Sequence, residues 1–347
     1  MSGTSLDGLD IAYCSFTETG GKYSFDLLEV ETLSYSPYWK EKLSTAFYKS
    51  LDEISSLNSE YGLYLGNCVN DFIQKNSLRV DLVSSHGHTV FHKPQLGVTI
   101  QVGSGANIRK LTGIPTVFNF RIQDVRLRGQ GAPLVPIGDK LLFDKYDFCL
   151  NLGGFSNISC DINKDRIAFD LSPCNILLNS IANKMGLEYD KDGQVAREGK
   201  IIPLLLEKWN NYNYFSQSFP KSLGREWFES QYKNDIDSDQ FSPENILTTA
   251  TEHISYQISS WINQHAYNEN SSTLITGGGA YNKFLIDNLT CKLKLGIDVI
   301  LPDKKVIAYK EALIFAFLGF LRIQGKNNVF KSVTGCEVNH SSGEIFW

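Results

Sequence analysis

Strand-forming residues fill two stretches near the start of the chain, Asp10 to Phe16 and Tyr23 to Ser34, around the polar break Thr17-Glu-Thr-Gly-Gly21. Two such runs flanking a Gly-containing turn predict a β-hairpin. From Pro37 to Asn76 apolar residues recur at helical spacing and predict helix. Val80 to Ser85 reads as a short buried strand that ends at His86-Gly87-His88. A hairpin-like pair over 89–92 and 98–102 comes next, then a helix over about 105–112 and a strand over 115–120. After a Gly- and Pro-containing loop, Arg126 to Pro136, the pattern restarts. It gives strands over 148–152, 158–162 and 166–169. Helices run on through about 255–269, with loops around 190–199 and 219–226. A strand over 272–276 enters three glycines, and a last long helix covers about 310–323. The expected division is therefore 1–125 and 126–330, with 331–347 completing the first part. Ala312 to Leu321 is strongly apolar but short and preceded by Lys310 and Glu311, which predicts a buried helix and not a membrane span.

Composition narrows the function classes. With 347 residues, 42% hydrophobic and 20% charged, the chain has ample core and a length that favours two domains. A net charge of -5 without any Lys/Arg block speaks against nucleic acid or an anionic membrane surface as partner. An anionic small molecule is still allowed where the binding residues are locally basic. The seven cysteines are odd in number, widely spaced and free of any CxxC, which favours reduced thiols and a cytoplasmic location. His86, His88 and His92 alternate along a strand-like stretch, so a zinc site is not expected there.

Three Gly-rich turns carry the chemistry: Met1-Ser-Gly-Thr-Ser-Leu-Asp-Gly8, Asn151-Leu-Gly-Gly-Phe-Ser-Asn157 and Thr276-Gly-Gly-Gly-Ala-Tyr-Asn282. Small residues let backbone N–H groups approach an oxyanion such as phosphate. A carboxylate beside them, Asp7, can hold magnesium. Any one of these runs is as readable as an ordinary polar turn. There is no GxxxxGK[ST] loop and no protein-kinase motif set. Both halves open with β-turn-β and continue as mixed α/β. That topological repetition suggests the two-lobed, actin-like ATPase (ribonuclease H-like) architecture, with the active site in the interlobe cleft.

Further motifs extend the pattern: Ser85-His-Gly-His-Thr-Val90, Gln101-Val-Gly103, Asn119-Phe-Arg121 with Asp124, Gly129-Gln-Gly-Ala-Pro-Leu-Val-Pro136, Phe169-Asp170, Asp192-Gly193, Pro220-Lys-Ser-Leu-Gly-Arg-Glu226 and Glu311-Ala312. In this order they resemble the anhydro-N-acetylmuramic acid kinases of cell-wall recycling along nearly the whole chain. The resemblance implies an ATP- and Mg2+-dependent phosphotransferase with an alcohol group as acceptor. Its reaction opens the ring of 1,6-anhydro-N-acetylmuramic acid with water and phosphorylates the released O6, giving N-acetylmuramic acid 6-phosphate. It also implies roles. Asp170 is the base, Gly3, Thr4, Ser5, Leu6, Asp7 and Gly8 cradle the ATP phosphates, and Asp7 lies near magnesium. Gly153 and Gly154 form a second phosphate turn, and Gly277, Gly278, Gly279 and Asn282 approach the adenosine. His88, Arg121, Gln130, Asn157 and Glu311 contact the sugar. The loop 220–226 receives no role.

Each assignment has a plainer counterpart. Asp170 before Pro173 could be a helix cap, Arg121 could pair with Asp124, and Glu311 could simply favour the first turn of the last helix. His88 stands where the family commonly has Gln, so its contact is expected to vary with pH. The family's Thr-Gly-Pro-Gly-Asn after the aspartate is Leu171-Ser-Pro-Cys-Asn175 here, and Cys174 is read as packing. Family members carry a strand before the Ser-Gly-Thr-Ser turn, which implies a strand upstream of Met1 pairing centrally in the first sheet. The competing functions are a kinase of another sugar and a sugar-binding or regulatory homologue with impaired catalysis. A homodimer is the default assembly.

Overall fold

The computed structural model describes residues 1–3, 6–266 and 270–347. Two compact units divide the chain: 1–142 with 309–347, and 143–308. The observed division follows Leu142, whereas a boundary near residue 126 is expected from the loop composition. The segment 126–142 stays with the first unit because its polar groups are bound there. The buried Lys310 ammonium lies 2.7 Å from the buried Asp139 carboxylate, and the Gly129 and Gly131 amides donate to Asp124.

In the first unit the strands Gly8–Thr19 and Lys22–Ser34 form a long antiparallel hairpin in register from Gly8↔Ser34 to Thr19↔Lys22. Its two-residue turn is Gly20-Gly21, both at positive φ, as a turn matching the strand twist requires. The single helical stretch expected over 37–76 is broken. Ser36 caps the helix Pro37–Ser44, and Ser50 with Glu53 forms a reciprocal capping box that starts Leu51–Lys75 afresh. The buried stripe of that second helix (Ile54, Leu57, Tyr61, Leu65, Cys68) packs with Trp39, Leu43, Val102 and Ile108 into one core. A three-stranded sheet orders Glu344–Phe346, Thr116–Phe118 and Val83–Ser84. A short hairpin pairs His88–Lys93 with Val98–Val102. A cavity of about 350 Å³ opens beside the Leu9–Phe16 edge of the long hairpin and residues 79–85.

In the second unit a five-stranded mixed sheet runs in the order Ile297–Ile300, Ser271–Thr276, Phe148–Leu152, Phe155–Ile162, Asp165–Pro173. The first three strands are parallel and the last two join antiparallel. Ser271–Thr276 is buried almost throughout, as an inner parallel strand should be. The helices Asn175–Asn183 and Pro243–His265 bring Leu177, Ile181, Ile246, Ala250 and Ile258 into the core with Leu150, Leu152 and Ile158 of the sheet. The mixed α/β class and the β-turn-β opening of the second half follow the sequence reading. Among the described residues no helix is long and apolar enough to cross a membrane.

Candidate active site

The residues singled out by sequence fall into two sets, one in each unit. In the first unit the opening turn is closed by backbone pairing. Ser2 bridges to Leu9, the Asp10 amide donates to the Met1 carbonyl at 2.9 Å, and the Leu6 amide donates to the Gly3 carbonyl at 3.3 Å. Leu6 takes a left-handed conformation at φ +58. Asp7 projects into solvent, an oxygen donor of the kind a hard divalent cation selects. Thr4 and Ser5 lie outside the described residues.

Ser2 also anchors a buried relay. The Tyr35 hydroxyl donates to Ser2 Oγ at 2.7 Å, Ser2 Oγ lies 3.0 Å from His88 Nδ1, and the Tyr61 hydroxyl is 2.5 Å from that of Tyr35. Ser2 accepts from Tyr35, and the tautomer of the His88 ring sets which atom donates between Ser2 Oγ and His88 Nδ1. His88 is buried, and burial lowers its pKa to about 4. That shift favours the neutral ring at physiological pH and speaks against a pH-dependent contact at this position.

Arg121 is held by two acceptors. Its Nε donates to His86 Nε2 at 2.9 Å and its Nη1 to the Gly131 carbonyl at 2.7 Å. His86 Nδ1 is 3.0 Å from the Gly87 carbonyl, which places the ring proton on Nδ1 and leaves Nε2 to accept. Burial first, and then the Arg121 charge, hold the His86 pKa well below its usual value, so that acceptor persists. Burial lowers Arg121 to about 10, and it remains a cation at neutral pH. Two guanidinium edges are thus fixed by protein, while the remaining N–H groups suit a carboxylate bidentately. The ion pair with Asp124, the plain alternative for Arg121, is not formed. Asp124 accepts from Gly131, Thr334 and His340 instead.

Gln130 is exposed at the tip of the same loop. Glu311 lies in the third turn of the helix Lys304–Ile323, which starts earlier than expected, so the first-turn explanation for it falls away. Burial among the surrounding groups raises the pKa of its carboxyl against the pull of Arg121.

In the second unit Asp170 is the central feature. A strand end is expected after Phe169, but the strand continues to Pro173, so Asp170 lies within it opposite Asn157, beside a register shift between Ser156 and Asn157. It caps no helix: Cys174 precedes Asn175–Asn183, without a side-chain cap bond. The Leu223 amide donates to Asp170 Oδ2 at 2.8 Å, and the Tyr214 hydroxyl donates to the Asp170 carbonyl at 2.7 Å. Among the described residues nothing donates to Oδ1. Burial raises the carboxyl to about 6, with the Leu223 amide opposing. A carboxylate with one fixed oxygen, one free oxygen and a pKa near the working pH is suited to general-base chemistry.

The loop 220–226, left without a role by sequence, is what holds Asp170. Lys221 Nζ reaches the Tyr214 carbonyl at 3.0 Å and lies 4.6 Å from the Tyr214 ring centre, tying the loop to Asn213–Ser216. The motif was visible in sequence, but its target was not, since the contact is a backbone amide 53 residues away in the chain. Ser172 and Cys174, which stand where the family has glycine, are both buried, Ser172 Oγ lying 2.8 Å from Ser156 Oγ and Cys174 packing in the core. Burial pushes the Cys174 thiol up to about 12, which supports packing over nucleophilic use.

The Gly153-Gly154 turn joins Phe148–Leu152 to Phe155–Ile162, and its carbonyls accept from the amides of Cys174, Asn175 and Ile176. Gly277 requires its glycine: at φ +83, an added Cβ would stand 2.5 Å from Asn151 Oδ1. The second and third Gly-rich turns are therefore packed together at one end of the sheet. Asn282 spends its side-chain oxygen as a helix cap, accepting from Leu285 N at 3.0 Å, and its amide N–H groups are the part available to a ligand.

A family model described as anhydro-N-acetylmuramic acid kinase matches residues 1–347. The anhydro-N-acetylmuramic acid kinase of Aliivibrio fischeri is 34% identical over 366 residues, spanning 100% of this chain and 97% of that one. That of Haemophilus influenzae is 33% identical over 376 residues, spanning 100% and 96%. Among solved structures, the activator of the 2-hydroxyisocaproyl-CoA dehydratase from Clostridium difficile with bound ADPNP is 14% identical. It covers 65% of this chain and 86% of that one at a TM-score of 0.38, too low to bear on fold or function.

Proposed function

The chain belongs to the anhydro-N-acetylmuramic acid kinase family, and from that premise we propose that it converts 1,6-anhydro-N-acetylmuramic acid and ATP to N-acetylmuramic acid 6-phosphate and ADP, in the recycling of cell-wall sugar in the cytoplasm. The observation that carries the mechanism is Asp170, fixed through Oδ2, open at Oδ1 and raised to about 6.

Asp170 Oδ1 takes a proton from a water molecule, whose oxygen attacks the anomeric carbon. The C1–O6 bond breaks, its electron pair stays on O6, and O6 attacks the γ-phosphorus of ATP as the bond to ADP breaks. The bicyclic sugar has no free 6-hydroxyl, so phosphorylation has to wait for this cleavage, and one base serves both events. Asp170 also steadies positive charge developing at the anomeric carbon. Arg121 binds the lactyl carboxylate, and His88, Gln130, Asn157 and Glu311 complete the sugar contacts. The turn 3–8 and Gly153-Gly154 cradle the phosphates, and Gly277–Gly279 with Asn282 receive the adenosine. Asp7 is the carboxylate that would hold magnesium, which neutralises phosphate charge when bound. The seven free cysteines support a reducing location.

The pH dependence of kcat/KM for the anhydro sugar tests this reading. Asp170 must be ionised to act. Activity is expected to rise through an acid limb near the raised pKa of about 6 and to fall roughly tenfold per pH unit below it. Absence of sugar-dependent ATP consumption at any pH would sink the proposal.

A further inference from the structure

Asp124 is fully buried, and the reaction as proposed makes no use of it. Its surroundings explain why a carboxylate stands there. Three consecutive amides of the loop carrying Gln130 are each tied down: Gly129 N donates to the Asp124 carbonyl at 2.8 Å, Gln130 N to the Thr334 carbonyl at 2.8 Å, and Gly131 N to Asp124 Oδ2 at 2.6 Å. The other carboxylate oxygen accepts from Thr334 Oγ1 at 2.7 Å and His340 Nε2 at 3.0 Å. The approach of Gly129 is so close that an added Cβ would lie 2.1 Å from Asp124 Oδ2. Gly131 then works as a splint, its amide held by Asp124 and its carbonyl accepting from Arg121 Nη1 at 2.7 Å. Glu337 N adds a bond to the Leu127 carbonyl at 3.1 Å.

We propose that Asp124, Thr334 and His340 are positioning residues for sugar binding. Through them the C-terminal segment 330–340 sets the placement of Arg121 and Gln130, and hence the affinity for the anionic sugar, without touching it. The arrangement has the marks of a built device. Asp124, Cys336 and His340 bring their ligating atoms within 4.8 Å of one another, but both Asp124 oxygens are already taken by protein donors. Burial raises the Asp124 carboxyl, and the bonds from His340, Thr334 and Gly131 more than reverse that, so it stays ionised and keeps all its donors oriented. The charge is spent on aligning backbone, since its neighbour Arg121 forms no ion pair with it.

This inference rests on the assignment of Arg121 to the sugar carboxylate, and the test separates the two. The variants are Thr334→Val, which keeps shape and loses the hydroxyl, Thr334→Ser, which restores it, and His340→Asn as an independent lesion. Kinetics are measured against the anhydro sugar and ATP separately, with calorimetric binding of the sugar alone. Thr334→Val is expected to raise the sugar KM and Kd about tenfold, the effect of one lost bond to a charged group. Its kcat and its KM for ATP should stay within about twofold. Thr334→Ser should return the sugar values close to wild type, and His340→Asn should follow Thr334→Val. Unchanged sugar affinity in Thr334→Val and His340→Asn, or a Thr334→Ser no better than Thr334→Val, would overturn the inference and leave the proposed function standing. Wild-type protein that binds no sugar would overturn both.

Discussion

Asp170→Asn is expected to lower kcat/KM for the anhydro sugar by roughly 100- to 10,000-fold, the range for loss of a positioned general base. The substitution is nearly isosteric, and an Asn oxygen can keep the bond from the Leu223 amide, so the loop 220–226 should hold its place. What disappears is the proton acceptor at Oδ1. Stability should not follow activity downward. Burial raises the folded-state pKa of this carboxyl from 3.8 to about 6, so ionising it weakens the fold. That cost is absent below about pH 4 and fully present above the raised pKa. At neutral pH the neutral amide is therefore expected to melt no earlier than wild type. Steady-state kinetics beside thermal melts check both halves. A variant within tenfold of wild type would remove Asp170 as the base, and a large loss of Tm would mean that the kinetic effect reports unfolding.

Arg121→Ala is expected to have the second largest effect, raising the sugar KM roughly 10- to 150-fold, equivalent to about 1.5–3 kcal/mol for hydrogen bonds to a charged group. The KM for ATP should change little. Arg121→Lys should recover only part of this, because an ammonium keeps the charge and loses the planar fork. The fork matters here because its Nε edge is already committed to His86 and one Nη1 proton to Gly131, so the free edge has a fixed direction. A sugar lacking the lactyl carboxylate should bind wild type and Arg121→Ala with similar affinity. A full Arg121 effect on that sugar would place the guanidinium elsewhere.

Much of the fold was legible because it depends on local signals. The Thr17–Gly21 break, the strand formers of 148–152 and the glycines after Thr276 mark their elements directly. The division of the helical stretch 37–76 was missed, although the Ser50–Glu53 capping box that makes it is a local signal. The geometry around Asp170 was only half legible. Its identity came with the resemblance, but its place inside a strand depends on cross-strand pairing with Asn157, and its hydrogen bond comes from the backbone of Leu223. No side-chain pattern announces a backbone donor. His86 as the acceptor for Arg121, and Asp124 as an anchor for the loop 129–131, were hidden for the same reason. Each depends on contacts between residues far apart in the chain, such as Asp124 with Thr334 and His340. The resemblance gives Asn282 only as a residue near the adenosine, and the use of its side-chain oxygen as a helix cap was not anticipated.

The most direct test of the central claim is the fate of oxygen when the protein, ATP and magnesium act on 1,6-anhydro-N-acetylmuramic acid in heavy-oxygen water. Ring opening coupled to phosphorylation predicts a sugar 6-phosphate with one heavy oxygen at the anomeric carbon and none in the transferred phosphoryl group, formed by wild type and lost in Asp170→Asn. Heavy oxygen appearing only in inorganic phosphate, with the anhydro sugar recovered intact, would show ATP hydrolysis without sugar chemistry and contradict the account.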